Sequence, residues 1–100
     1  MTVLTYSQLE GVWIKNGGDK TLAPLMAAIA LAESGGNPND VNAKDNGGTQ
    51  SSYGLWQIST GTHTPPAANW ADPNENAKLA VGKLKSHGLS AWVTYTSGAY

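Results

Sequence analysis

One segment governs what this chain can fold into. Residues 21–34, TLAPLMAAIALAES, are its most apolar stretch, and their apolar side chains recur at helical rather than alternating spacing. A chain of 100 residues has room for one core shared by every element, so this segment is expected to form a central helix on which the rest packs. Pro24 is tolerated in the first turn, and Gly35-Gly36 stops the helix.

The flanking signals are also helical. Ser7 with Glu10 has the spacing of a capping box, and Leu9, Val12 and Trp13 follow, predicting a helix over 7–17 that ends at Gly17-Gly18. Asp72 as N-cap, Pro73 as first helical residue and Glu75 in the first turn open a third helix with the stripe Ala77, Ala80, Val81, Leu84, closed by His87-Gly88. Ser90 is placed to cap a short last helix carrying Ala91, Trp92, Val93 and Tyr95, with a stop at Ser97-Gly98. Between Gly36 and Gly54 the polar run GNPNDVNAKDNGGTQSSYG has no apolar periodicity and reads as a long active-site loop. Leu55 to Ser59 fits a strand fragment or a helical turn equally, and Pro65-Pro66 excludes helix from the connector that follows. The expected fold is one mostly α domain over 1–100, with about four helices, a long active-site loop and little or no sheet.

Within this frame one carboxylate is out of place. Leu22, Leu25, Met26, Ile29 and Glu33 advance along the central helix in steps spanning 11 residues, about three turns, so Glu33 continues the buried stripe where a leucine is called for. It also lies in the last turn, where the carbonyl ends are partly negative. That field and desolvation both disfavour the ionised form and push its pKa upward. A raised carboxyl is what a general acid near neutral pH requires, because a glycosidic oxygen leaves poorly until protonated. The plainer alternative is a helix-end Glu satisfied by a cap or a lysine.

Composition narrows the partners. Six lysines, no arginine and seven carboxylates give a net charge of −1, without the basic face that nucleic acid needs. Four Trp and four Tyr with no Phe give every ring a polar handle, which suits sugar faces as well as core packing. His63 and His87 have no ligand spacing, and Lys44 interrupts any calcium-loop pattern in Asp40 to Gly47, so neither a metal nor a cofactor is expected. The longest apolar run, Ala27 to Ala32, is far below the roughly 20 residues of a membrane span. Met1 to Gly11 has no basic stretch leading into an apolar run, so no export signal is expected.

Three blocks together, AIALAESGGNP (28–38), SYGLWQIS (52–59) and WVTYTSGAY (92–100), resemble the lytic transglycosylase and goose-type lysozyme superfamily, particularly the short lysozyme-like domains of phages and actinobacteria. The resemblance covers residues 22–100 and implies a peptidoglycan-cleaving enzyme. It matches Glu33 to the family's catalytic acid, Ser34 to the neighbouring serine, and Gln57 to the glutamine that helps bind sugar, with Leu55 and Trp56 shaping the wall; Ser34, Ser52, Tyr53 and Trp56 are with Gln57 the expected substrate-binding residues of these blocks. Tyr95 matches a tyrosine whose hydroxyl approaches the acid, although Thr96-Ser97 here replaces the family's Asn-Ala.

Most glycosidases use two carboxylates. Glu10, Asp72 and Glu75 are explained by capping, which leaves Asp40 and Asp45 as candidates for the second. In the transglycosylases of the superfamily one Glu suffices: the N-acetyl group stabilises the cationic centre and the 6-hydroxyl of N-acetylmuramic acid closes an anhydro ring. The expectation is therefore single-glutamate lytic cleavage of the MurNAc–GlcNAc β-1,4 bond by a monomer at the bacterial cell wall, reached through a holin, a tail or a longer parent chain. Hydrolysis of the same bond with Asp40 or Asp45 is the close competitor. A non-catalytic wall-binding module and a phage tail structural part are the rivals from other classes.

Overall fold

The computed structural model describes residues 3–100; Met1 and Thr2, the start of the segment read for a leader, lie outside the described residues. The first helix, α1 (Tyr6–Lys15), is set by Thr5. Its hydroxyl accepts from Gln8 N at 3.2 Å while Gln8 Oε1 accepts from Thr5 N at 2.9 Å, so the capping box lies two residues before the expected Ser7–Glu10 pair. Thr5–Gln8 has the same spacing, and the earlier pair wins because its reciprocal bonds close one full turn. At the other end Asn16 Nδ2 donates to Val12 O at 2.8 Å, ending α1 before the predicted Gly17. A Cβ on Gly18 would overlap the Trp13 indole, so this glycine is what lets the chain turn back over the ring.

A 3-10 turn at Lys20–Leu22, capped by Asp19, leads into α2 (Ala23–Ser34), with Pro24 in its first turn. Gly35 ends α2 in the left-handed conformation at φ 64, its N–H donating to Leu31 O at 2.8 Å. The buried face of α2 is Ala23, Met26, Ala27, Ile29 and Ala30, with Leu22 and Leu25 half-buried on its flank. The three alanines let neighbouring elements approach closely.

The run 36–54 is not the long loop expected. Strands β1 (Val41–Lys44) and β2 (Gln50–Tyr53) pair antiparallel, Val41 opposite Tyr53 and Asn42 opposite Ser52. The turn between them, α3 (Asp45–Gly48), takes Asn46 (φ 50) and Gly47 (φ 71) out of helical geometry. Every residue of β1 is exposed, so this hairpin has no apolar alternation for sequence reasoning to detect. It is held by backbone pairing and polar side chains.

Leu55 to Ser59 is neither strand nor helix. Tyr53 and Ile58 exchange backbone bonds of 3.0 and 2.9 Å across a tight turn in which Gly54 and Gln57 have positive φ, 78 and 51. Helix α4 (Pro73–His87) starts as expected: the Asp72 carboxylate accepts from Asn74 N at 2.8 Å and Glu75 N at 3.4 Å. The last helix differs from expectation. Ser90 lies in a 3-10 turn (Leu89–Ala91), and α5 (Val93–Ser97) follows an extended Trp92 with no side-chain cap, ending at Gly98. Trp92 is extended because its indole turns into the core, where Nε1 donates to Trp56 O at 2.9 Å.

The core thus centres on α2 and on three tryptophans. Trp13 and Trp56 meet at 5.8 Å and 45°, and Trp56 Nε1 donates to Met26 O at 2.9 Å. Leu9, Ile29, Leu55 and Ala80 complete it. No helix among the described residues is long and apolar enough to cross a membrane.

Candidate active site

Four elements converge on one cleft of about 480 Å³. The end of α2 contributes Glu33, the hairpin Asn42, Asp45, Asn46, Gln50 and Ser52, the 54–58 turn Gln57, and α4 Lys83; Ala91 and Val93 close one side. The position of Glu33 is set by the last turn of α2, which is anchored on both sides. The Ser34 hydroxyl reaches Ala30 O at 2.9 Å and Leu55 O at 2.8 Å and accepts from Gly36 N at 3.3 Å. The acid is thereby fixed to the core rather than to a loop.

The two carboxylates of the cleft are driven apart. Burial pushes Glu33 above the usual carboxylate range, and the negative Asp45 adds to this while the Lys83 ammonium opposes it. Asp45 moves the other way, chiefly because the Ser52 hydroxyl donates to it. Partial burial works against that shift; donation from Gln50 Nε2 at 3.1 Å and from Asn46 N at 2.9 Å, and the Lys83 charge, work with it. One group is thus suited to carry a proton and the other to stay ionised, the separation of roles that acid and base chemistry on a single site requires. Lys83 is itself held down by burial, offset by both carboxylates, and its Nζ lies 4.5 Å from the centroid of the Trp92 ring.

Of the residues singled out in the sequence, Glu33, Asp45, Ser52 and Gln57 line this cleft together. Gln57 is 8% exposed, and its Nε2 donates to Gly54 O at 2.9 Å and Asp40 O at 3.2 Å, so its amide also holds the turn that presents it. The others stand outside the lining. Ser34 braces α2, and Asp40 contributes its backbone oxygen to the Gln57 amide and to Gly54 N. Tyr53 packs on Trp70 at 5.1 Å and donates its hydroxyl to His63 O at 2.7 Å. Trp56 is wholly buried, and Tyr95 stacks on Tyr100 at 5.8 Å. Ser34, Asp40, Tyr53, Trp56 and Tyr95, candidates from the sequence, are therefore not among the residues lining the cleft.

Lys83, Gln50 and Asn42 escaped the sequence reading. For Lys83 a signal existed: it lies three residues after Ala80 and seven after Asn76, both buried, which puts it on the margin of the inward face of α4. For the hairpin residues none existed, because their placement depends on a register that a polar sequence leaves unmarked. Among the described residues no group of three His, Cys, Asp or Glu side chains is placed to hold a metal ion.

Residues 12–94 match the model of a family described as a lysozyme-like domain, a span that includes Glu33 and every other residue lining the cleft. No curated protein matches the chain.

Proposed function

The chain belongs to the lysozyme-like domain family, and from that premise we propose that it cleaves the MurNAc–GlcNAc β-1,4 bond of peptidoglycan with Glu33 as the catalytic acid. The observation that carries this reading is the protonation-prone Glu33, fixed at the end of α2 and facing a polar cleft. Glu33 gives its proton to the glycosidic oxygen as the C1–O bond breaks, and the leaving sugar departs with a neutral hydroxyl. The carboxylate left behind then acts as base. In the lytic transglycosylase reaction it takes the proton of the muramyl 6-hydroxyl as that oxygen bonds to C1, giving an anhydro ring. This course needs no second carboxylate and is the outcome we propose.

Asp45 favours a second reading, hydrolysis. A carboxylate kept ionised across the cleft by Ser52 and Gln50 is suited to orient a water against C1. Digestion of purified peptidoglycan by wild type and Glu33→Gln, with mass spectrometry of the released muropeptides, separates the two. Anhydro-muramyl ends from wild type alone are expected. Reducing muramyl ends would transfer the reaction to the hydrolytic course through Asp45. Sedimentation with cell walls but no release from any of them would overturn catalysis and leave a wall-binding or structural module.

A further inference from the structure

Lys83 is unaccounted for by that chemistry. Its ammonium carries three N–H donors, yet among the described residues it meets no hydrogen-bond acceptor and no ion-pair partner within 4.0 Å. It nevertheless lines the cleft. The nearby carboxylates do not claim it. Asp45 is occupied by its own hairpin, with Ser52 and Gln50 on one oxygen and Asn46 N on the other. Glu33 is neutral when poised to act as an acid, so in that state Lys83 faces a cleft whose one anion is already satisfied. The ammonium is also held in place. It rests over the face of Trp92, which is 1% exposed and pinned to Trp56 O through its indole nitrogen. A cation that rests on a buried, hydrogen-bonded indole and lines the cleft is a ready partner for an anion on whatever enters.

We propose that Lys83 is the specificity residue of the cleft, taking a carboxylate of the glycan substrate and thereby selecting acidic muramyl strands over neutral ones. This rests on the reading of the cleft as a peptidoglycan site, whose muramyl units carry a carboxylate either directly, on a lactyl group stripped of peptide, or further out, on the stem peptide. Acid catalysis by Glu33 needs neither, so the contact sets which strand is cut and leaves the bond-breaking step to Glu33.

The test compares four substrates: glycan strands stripped of peptide, the same strands with their carboxylates amidated, peptide-bearing strands, and peptide-bearing strands amidated likewise. For wild type, Lys83→Gln and Lys83→Arg, kcat/KM is measured on each at one pH, and the ratio of acidic to amidated substrate is taken within each variant. Loss of Lys83 also changes the proton affinity of Glu33, and a poorly folded variant loses active molecules, but both effects cancel in that ratio. Wild type is expected to prefer the acidic form by roughly tenfold or more, the scale of a hydrogen bond to a charged group. Lys83→Gln should bring the ratio to about one, and Lys83→Arg should keep most of it. Loss of preference confined to stripped strands identifies the lactyl carboxylate, and loss confined to peptide-bearing strands identifies the stem. A wild-type ratio near one, or a ratio unchanged in Lys83→Gln, overturns the proposal. If wild type cuts none of the strands the catalytic reading fails, and the same ratios are then read from binding of the four glycans to Glu33→Gln with and without Lys83→Gln.

Discussion

Asn76 ties the floor of the cleft to α4, and replacing it with alanine should cost this small domain a large share of its stability. Asn76 is 1% exposed; its Oδ1 accepts from Trp56 N at 2.9 Å, and its Nδ2 donates to Tyr53 O at 3.0 Å and Trp70 O at 3.2 Å. The three partners do not suffer equally. Tyr53 O retains Ile58 N at 2.9 Å, whereas the buried Trp56 N–H is left without its acceptor. An orphaned buried donor costs about 1–3 kcal/mol, and each of the other two bonds contributes about 0.5–1.5 kcal/mol. Asn76→Ala should therefore lose roughly 3–4 kcal/mol, the middle of those combined ranges and at least a fifth of the ~5–15 kcal/mol typical of a domain. At about 4–8 °C per kcal/mol for a chain this size, Tm falls by some 12–30 °C. Urea unfolding followed by tryptophan fluorescence reads this directly, because Trp13, Trp56 and Trp92 are all buried. Lys78→Ala, on the exposed side of the same helix, is the control and should stay within about 0.5 kcal/mol of wild type. A loss below about 1 kcal/mol in Asn76→Ala would refute the assignment of this side chain as the anchor of the 53–57 turn.

Glu33→Gln should lower activity by about 10²–10⁴-fold, the usual worth of a general acid, and its pH dependence of stability should run opposite to that of an ordinary carboxylate. Because burial raises Glu33 in the folded protein, ionising it disfavours folding: the penalty is absent below the unfolded pKa and complete above the folded one. The variant should thus melt above wild type at pH 7 and level with it near pH 4, as read by calorimetry; equal melting at pH 7 would count against a desolvated acid. Asp45→Asn should do the reverse, since Ser52 depresses its folded pKa. Wild type should hold an advantage above the unfolded carboxylate pKa that fades as pH falls through the folded one, and an advantage that persists in strong acid would contradict this. In His63→Ala the hairpin loses two ties, Ser51 Oγ to Nδ1 at 2.7 Å and Gly48 O to Nε2 at 3.0 Å. Hydrogen exchange should then quicken across β1 and β2 while α2 keeps its protection; uniform quickening would mean a global effect instead.

The helices were legible where local chemistry decides them. Asp72-Pro73 and Gly35 left start and stop signals that the folded chain uses, and the apolar spacing of α2 identified the centre of the core. Glu33 was legible for the same reason, as a polar residue interrupting an apolar stripe. What could not be read is whatever depends on partners distant in sequence. Ser34 and Glu33 are neighbours in one motif, yet one side chain turns to Leu55 O and the other to the cleft, a difference set by how the 54–58 turn packs on α2. Trp56, within the motif and aromatic, went to the core because Met26 O accepts its indole N–H. Aromatic rings with a polar handle satisfy a buried acceptor as readily as a sugar hydroxyl, so composition alone cannot say which side of the wall they occupy.

The same geometry explains why the proton affinities of two carboxylates in one cleft move in opposite directions. Glu33 projects from a helix whose last turn is bolted to the core through Ser34, and its surroundings offer partial desolvation, opposed only by the Lys83 charge, with no hydrogen bond to its carboxylate among the described residues. Asp45 opens the turn between the two strands; β2 supplies a hydroxyl and an amide to its oxygens, and the turn a backbone N–H. The acid therefore depends on the rigidity of the core and the ionised partner on the integrity of the hairpin. Precision of that kind is easier to hold on a packed helix than on a two-stranded ribbon whose outer strand is exposed. In the proposed reaction the protonating step would then be the robust one, shared by cleavage with either product. In that reaction the fate of the cationic intermediate would turn on Asp45, whose place is set by the backbone pairing and polar contacts of the hairpin. If the proposed reading holds, altering the polar residues around Asp45 should change the product while Glu33 keeps its place at the end of α2.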